Sequence, residues 1–403
     1  MISIPDTIPP FFTSGKVLDC IPAEETFDGT WPFKPCFYHG NGFAQHYIDE
    51  GEGDPILLLH GEPMWGYLYR NFIPALSKNY RVIVPDHMGF GKSETPQDKE
   101  YCLRTHTMNL IGLLDSLNLE KPITLFIQDW GTLIGLQFAL RYPAKIARIM
   151  IASTIPMPST YEERISRFGG VEPDSYGRMP LSGMVAGRVE LQGKSGTGSD
   201  PSAPTSTWFP WVLGGLPEDP DYVCPSLASE RKSPPKGRTE SVLLNIGSSF
   251  VHVVSHLMGM EKKSVINETW TKAYSSAFPT MESSIGAMNF PMEAMFQLKL
   301  SPEAQSFHHD SVTPKNVAAI KGLPIWMIVG RQDRAISIKR IEQVSSSYGG
   351  CPYVIIENSG HFIQEDAPET VVALLQMFIQ STGGVPASFE KTVGVPPPGA
   401  NML

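Results

Sequence analysis

The sequence of 403 residues has no apolar run of the length a membrane-spanning helix needs; its clean apolar runs, such as Ile56 to Leu59, are strand-sized. It has no cluster of Lys and Arg either, and its net charge is −9. That balance excludes the basic footprint of a nucleic-acid-binding protein and gives no attraction to an anionic membrane surface. Cysteine is scarce and scattered: Cys20, Cys36, Cys102, Cys224 and Cys351 are odd in number and lack CxxC spacing. They read as reduced thiols rather than as a disulfide framework. Met1 to Asp6 offer no basic stretch leading into an apolar one, so no secretory signal is expected and the cytoplasm is the expected compartment. Two partial motifs also lack what they need. Gly91-Lys92-Ser93 and Gly193-Lys194-Ser195 want a glycine five positions upstream, where Asp86 and Arg188 stand, so no phosphate loop is expected. His252 and His256 would share a helical face, but no carboxylate separates them, and no metal is expected there.

What is present is ordinary globular composition, 41% hydrophobic and 10% aromatic, enough for a large core with one added domain. Residues 1–40 are rich in proline and aromatics without a clear period, and read as an arm lying across the main body. From Phe43 short apolar runs alternate with helical patterns: strands at Phe43 to Asp49, Ile56 to Leu59, Arg81 to Val84, Ile123 to Ile127 and Ile149 to Ser153, with a helix from about Arg104 to Leu117. The alternation stops at Pro156 and resumes with Ile325 to Val329, a helix near Lys339 to Ser346, a strand at Tyr353 to Glu357 and a helix from Pro368 to Ile379. This pattern predicts an α/β fold with a mostly parallel sheet covered by helices. The core would comprise 41–155 and 313–381. Residues 156–312 form an inserted helical cap, with helices over Ser241 to Met258 and Asn267 to Ser276 and an irregular insertion at about 180–240 crowded with Gly, Ser and Pro. A tail, 382–403, follows.

Ile123 to Thr132 organises the rest. An apolar strand stops at Gln128-Asp129-Trp130-Gly131, and a helical apolar pattern starts at once. At such a strand–turn–helix the turn residue is held on a strained backbone with its side chain exposed above the sheet, the nucleophile elbow of α/β-hydrolases. Here that residue is Asp129. A serine attacking saturated carbon would give an ether, a dead end; a carboxylate gives an ester that activated water can cleave. Asp129 therefore points to an sp3 electrophile, a carbon bearing halide or an epoxide oxygen. The plainer alternative is that Asp129 caps the following helix.

Such chemistry needs a base for water, a group to orient it, and donors for the leaving group and oxyanion. The acid and the histidine follow the nucleophile in that chain order in α/β-hydrolases. Asp333 and His361 stand so, each just past an expected strand. The indole N–H of Trp130 is a donor without acceptor capacity and suits a departing halide. The backbone N–H groups of Glu62 and Trp130 are the natural oxyanion donors.

His60-Gly61-Glu62-Pro63 with Trp65 and Tyr67 to Arg70, Asp86 to Ser93, Gln128 to Gly131, Gly330 to Asp333 and Gly360-His361-Phe362 together resemble haloalkane dehalogenases. The resemblance covers about 40–155 and 313–380, with an echo at Ala273 to Pro279. It implies hydrolysis of carbon–halogen bonds in small apolar substrates by water alone, without a cofactor, giving alcohol and halide. It implies Asp129 as nucleophile, His361 as base, Asp333 as third member, Trp130 as halide donor and Glu62 as a holder of the hydrolytic water. The branch with glutamate at this position uses a second tryptophan from the cap, for which Trp208 and Trp211 are the candidates. The 180–240 insertion departs from the family, whose caps are shorter.

Three other readings remain open. An epoxide hydrolase shares the nucleophile but uses tyrosine O–H donors, for which Tyr161, Tyr176, Tyr222 and Tyr274 are available. A relative that opens β-lactones uses the same triad. From another class, the chain could be an idle hydrolase fold used for binding.

Overall fold

The computed structural model of the protein describes residues 17–18, 21–154, 259–279, 282–287, 290, 301–334, 336 and 338–383. The expectations for Ser241 to Met258, for the insertion at 180–240 and for the tail beyond 383 lie outside the described residues, as do His252 and His256.

An eight-stranded sheet carries the fold. Its strands are β2 (Cys36–Tyr38), β3 (Gln45–Glu50), β4 (Asp54–Leu59), β5 (Tyr80–Pro85), β7 (Ile123–Gln128), β8 (Ile146–Ala152), β9 (Ile325–Gly330) and β10 (Tyr353–Ile356). They lie in the order β10-β9-β8-β7-β4-β5-β3-β2. All neighbours pair in parallel except β3 with β5 and β2 with β3. Every residue of β7 and β8 is buried, which is why these strands read as continuous apolar runs: helices cover both faces, so no polar alternation is needed. A separate pair joins β1 (Val17–Leu18) to β6 (Thr95–Pro96).

The covering helices among the described residues include α1 (Ile73–Leu76), α2 (Leu103–Ser116), α3 (Trp130–Arg141), α4 (Glu268–Ser275), α5 (Pro302–Ser311), α6 (Pro314–Lys321), α7 (Ile338–Ser347), α8 (Ile363–Asp366) and α9 (Pro368–Ser381). None of them is long and apolar enough to cross a membrane.

Topology places the site. From β4 the chain winds out to β5, then returns across β4 to β7 and on to β8, β9 and β10. The winding reverses between β4 and β7, and Leu59 is level with Ile127, so the two strands end side by side. A crevice opens beyond the carboxyl ends of strands at such a reversal. The loops carrying Glu62 and Asp129 flank it.

One part of the N-terminal region differs from the pattern read in the sequence. Of the stretch before residue 40, the described residues from Ile21 onward are built into the body: β2 forms the sheet edge, and Phe27 and Trp31 are fully buried against Trp65 and Tyr67. A strand of three residues is too short to show a period, which is why it reads as irregular. Strands β3 and β4, joined across Glu50 to Asp54, are not sheet neighbours, because β5 lies between them.

The segment returning from the expected cap is stitched to the core. Asn267 caps α4 by accepting from the Trp270 N–H, and Trp65 Nε1 donates to the Ala273 carbonyl at 2.9 Å. Below it the Glu365 carboxylate is wholly buried, a position that demands partners. It accepts both guanidinium nitrogens of Arg70, at 2.6 and 2.7 Å, and the Tyr274 hydroxyl at 2.5 Å.

Candidate active site

β7 ends in a sharp turn at Asp129, whose φ of +50° lies in the region a non-glycine residue seldom occupies. Gly131 is required at the next step, since a Cβ there would stand 2.4 Å from the Leu59 carbonyl oxygen. The turn brings α3 hard against the end of β4. Asp129 does not cap α3: its side chain makes no capping hydrogen bond. Instead Oδ1 accepts the Glu62 backbone N–H at 2.9 Å, and Oδ2 faces His361 Nε2 at 3.5 Å. Room for the carboxylate comes from Gly61, where a Cβ would fall 2.2 Å from Oδ1.

His361 reaches this point from beyond β10. Its ring is 1% exposed, and Nδ1 meets Asp333 Oδ2 at 3.0 Å. Asp333, following β9, has a fully buried side chain whose Oδ1 also accepts the Ile336 N–H at 2.9 Å. Burial works against an imidazolium here. The charge of Asp333, with the carboxylate of Asp129 on the other side, outweighs it and holds the ring up at about 10. Asp129, His361 and Asp333, predicted from chain order, thus lie in line as carboxylate, imidazole and carboxylate.

Glu62 is buried at the mouth of the crevice, its preceding strand ending at Leu59. Trp130 opens α3 and lies 6% exposed, its indole stacked on Phe290 with centroids 4.4 Å apart. Trp208 and Trp211 lie outside the described residues, as do Tyr161, Tyr176 and Tyr222. Tyr274 is described and is committed elsewhere: its hydroxyl donates to Glu365. Lys92 is equally committed, its ammonium donating to the carbonyls of Ala23 and Glu25 at 2.7 Å each, where it anchors the N-terminal stretch.

Several contacts near the site carried no sequence signal. Gln128, buried at the end of β7, brings its side-chain amide within 3.1 Å of His361 Nε2. Asp366 ties the loop of His361 to the segment at Glu261: Oδ1 accepts the N–H groups of Glu261 and Lys262 at 2.9 and 2.8 Å, and Oδ2 accepts that of Gly360 at 2.7 Å. His361 itself donates its backbone N–H to the Gly259 carbonyl at 2.7 Å. A third group, His60, His87 and His106, lies fully buried beside the β4 loop, and burial pushes all three below the usual range. His60 accepts the His87 N–H on Nε2 at 3.0 Å and so couples the two loops that flank the crevice.

A sequence profile for the α/β hydrolase fold matches residues 54–182. The cis-3-alkyl-4-alkyloxetan-2-one decarboxylase of Shewanella oneidensis is 45% identical over 129 residues, covering 32% of this chain and 41% of that one. Haloalkane dehalogenase 1 of Mycobacterium bovis is 38% identical over 214 residues, covering 45% of this chain and 69% of that one. The chain thus spans less than half of the decarboxylase and more than two thirds of the dehalogenase. Among solved structures, the tetrameric haloalkane dehalogenase of Paraglaciecola agarilytica superposes with a TM-score of 0.56 at 22% identity, over 90% of this chain and 97% of that one. At that identity it speaks for the fold alone.

Proposed function

The chain belongs to the haloalkane dehalogenase family of α/β-hydrolases, and on that premise we propose that it hydrolyses a carbon–halogen bond of a small apolar substrate to alcohol, halide and a proton. One observation carries this reading: a carboxylate on a strained elbow, with one oxygen held by a backbone N–H and the other turned toward a histidine that a second carboxylate supports. Oδ2 of Asp129 displaces halide, forming a carbon–oxygen bond as the carbon–halogen bond breaks. Oδ1, already on the Glu62 N–H, becomes the carbonyl oxygen of the ester and keeps that donor when water attacks. Esterification removes the Asp129 charge, so the ring of His361 loses one of the two carboxylates that hold its proton. The ring gives that proton up to solvent and, now neutral, takes a proton from water, which cleaves the ester at its carbonyl carbon and regenerates Asp129, while Asp333 supports the imidazolium. The Trp130 indole N–H receives the halide, Glu62 holds the hydrolytic water, and Trp208 or Trp211 serves as second halide donor. None of these steps calls for a cofactor.

A second reading has one specific support. The 45% identity to the oxetanone decarboxylase favours a strained β-lactone as an electrophile for the same carboxylate. The epoxide reading loses its described candidate donor, since the Tyr274 hydroxyl is bound to Glu365.

The test is product analysis with purified protein on three substrates: 1,2-dibromoethane, styrene oxide and a cis-dialkyl-oxetan-2-one. Bromide release that disappears in Asp129→Asn supports the dehalogenase. Diol without bromide, or carbon dioxide from the lactone without bromide, would replace it with the corresponding rival.

A further inference from the structure

The amide of Gln128 lies against the one nitrogen on which the proposed base must take its proton. Gln128 is fully buried, and the end of its amide placed as Nε2 stands 3.1 Å from His361 Nε2, closer than Asp129 Oδ2 at 3.5 Å. The other end, placed as Oε1, meets no hydrogen-bond partner among the described residues. An amide presents a donor at one end and an acceptor at the other, and a half turn about Cγ–Cδ exchanges them. With no second partner to fix the amide, the ring alone decides which end faces it.

The groups that face the ring from the elements around it are Asp333 on Nδ1, from the loop after β9, and Asp129 near Nε2, from the elbow. Both favour the imidazolium. A protonated Nε2 donates, so an inward amide N–H would set two donors head to head at 3.1 Å. In the ester the need is different and the answer the same: an inward N–H would occupy the lone pair that must receive the proton from water, whereas an inward oxygen leaves it free. That oxygen then accepts the N–H as it forms, and its own lone pairs disfavour the neutral ring.

We infer that Gln128 is a positioning residue for His361: its amide oxygen faces Nε2, accepts the imidazolium proton and strengthens the base in the ester-cleaving step. The step is a proton transfer from water to Nε2, with the amide as acceptor of the new N–H and no further reactant. The inference rests on the dehalogenase reading for its consequence in turnover, but the contact is measurable without a substrate.

The experiment compares wild type with Gln128→Met, which keeps the length and removes the acceptor, and Gln128→Glu, which keeps shape and acceptor. Histidine nitrogens labelled with 15N, assigned against His361→Phe, are titrated in the free protein. A hydrogen bond to a charged group corresponds to roughly one to two pH units, so the His361 midpoint is expected about one unit lower in Gln128→Met and no lower in Gln128→Glu. In single-turnover reactions with 1,2-dibromoethane, Gln128→Met should release its burst of bromide within about twofold of the wild-type rate while ester hydrolysis slows roughly tenfold. A midpoint unchanged or raised in Gln128→Met, or lowered equally in Gln128→Glu, overturns the inference. Should wild type release no bromide at all, the dehalogenase reading falls and the titration still decides the role of the amide.

Discussion

His361 and His106 are the same side chain in two regions of one molecule, each 1% exposed, and they are held at opposite ends of the pH scale. His106, on α2, lies among Tyr101, His87 and Phe290, and neither ring nitrogen has a hydrogen-bond partner among the described residues. Burial, helped by His60, pushes it down to about 3. His361 suffers the same burial, yet Asp333 and Asp129 raise it to about 10. Sealing a histidine from water therefore favours the neutral ring, and a carboxylate on each side of the sealed ring favours the imidazolium instead. The difference lies in the partners, not in the depth.

The comparison breaks most completely if the ring of His361 is taken away. His361→Phe is expected to release about one equivalent of halide and then stop, with steady turnover down by roughly four orders of magnitude or more. Intact-mass analysis should find the alkyl ester on Asp129; an unmodified protein would mean that displacement itself needs the histidine. Removing one supporting charge should move His361 toward the state of His106. In Asp333→Asn the ring titration should fall from about 10 toward neutrality, with ester cleavage slowed about a thousandfold and the halide burst retained. A ring that still titrates near its wild-type midpoint would show that Asp129 suffices.

His106 allows the converse test through stability. Its pKa in the folded state lies below the unfolded value, so the unfolded chain binds more protons in acid; the stability it contributes is present above about pH 6.5 and is lost as pH falls toward 3. At pH 5 that loss is about 2 kcal/mol. His106→Leu should shrink the difference in urea-derived stability between pH 8 and pH 5 by that amount; an unchanged difference would place a counter-charge beside His106. For His361 the sign is opposite. Its folded pKa is raised, so its contribution is full below about pH 6.5 and disappears as pH rises through about 10.

The smallest effect should come from a buried group whose charges already match. Tyr274→Phe removes one of the donors on Glu365 and leaves the Arg70 pair intact, for a cost of about 1.5 kcal/mol in chemical denaturation. Halide release should stay within about twofold. Loss of diol formation from styrene oxide in this variant would return Tyr274 to the site and revive the epoxide reading.

The elbow was legible because everything that makes it is local. A buried strand, an aspartate, a glycine and an apolar helix follow one another between Ile123 and Phe138, and each has a recognisable residue preference. Asp333 and His361 were legible through chain order and through the strands before them. The contact of Gln128 with His361 was not, because 233 residues separate them. The clasp of Asp366 on Glu261 and Lys262, 105 and 104 residues away, was equally silent. Tyr274 was available on paper as an epoxide donor until Glu365, 91 residues downstream, was found on its hydroxyl.

Chain neighbours were enough to settle which residues form the sheet's central strands, where the chain turns after β7, and that a carboxylate stands at the turn, because strand burial and helix starts depend on the nearest few residues. What the folded arrangement added is the electrical state of those groups. Asp129 is a cap or a nucleophile, and a buried histidine a neutral packing group or a base, according to charges and donors brought within 3–4 Å from distant parts of the chain. Those forces act through space and fall off over a few ångströms, so their effect is set by the fold.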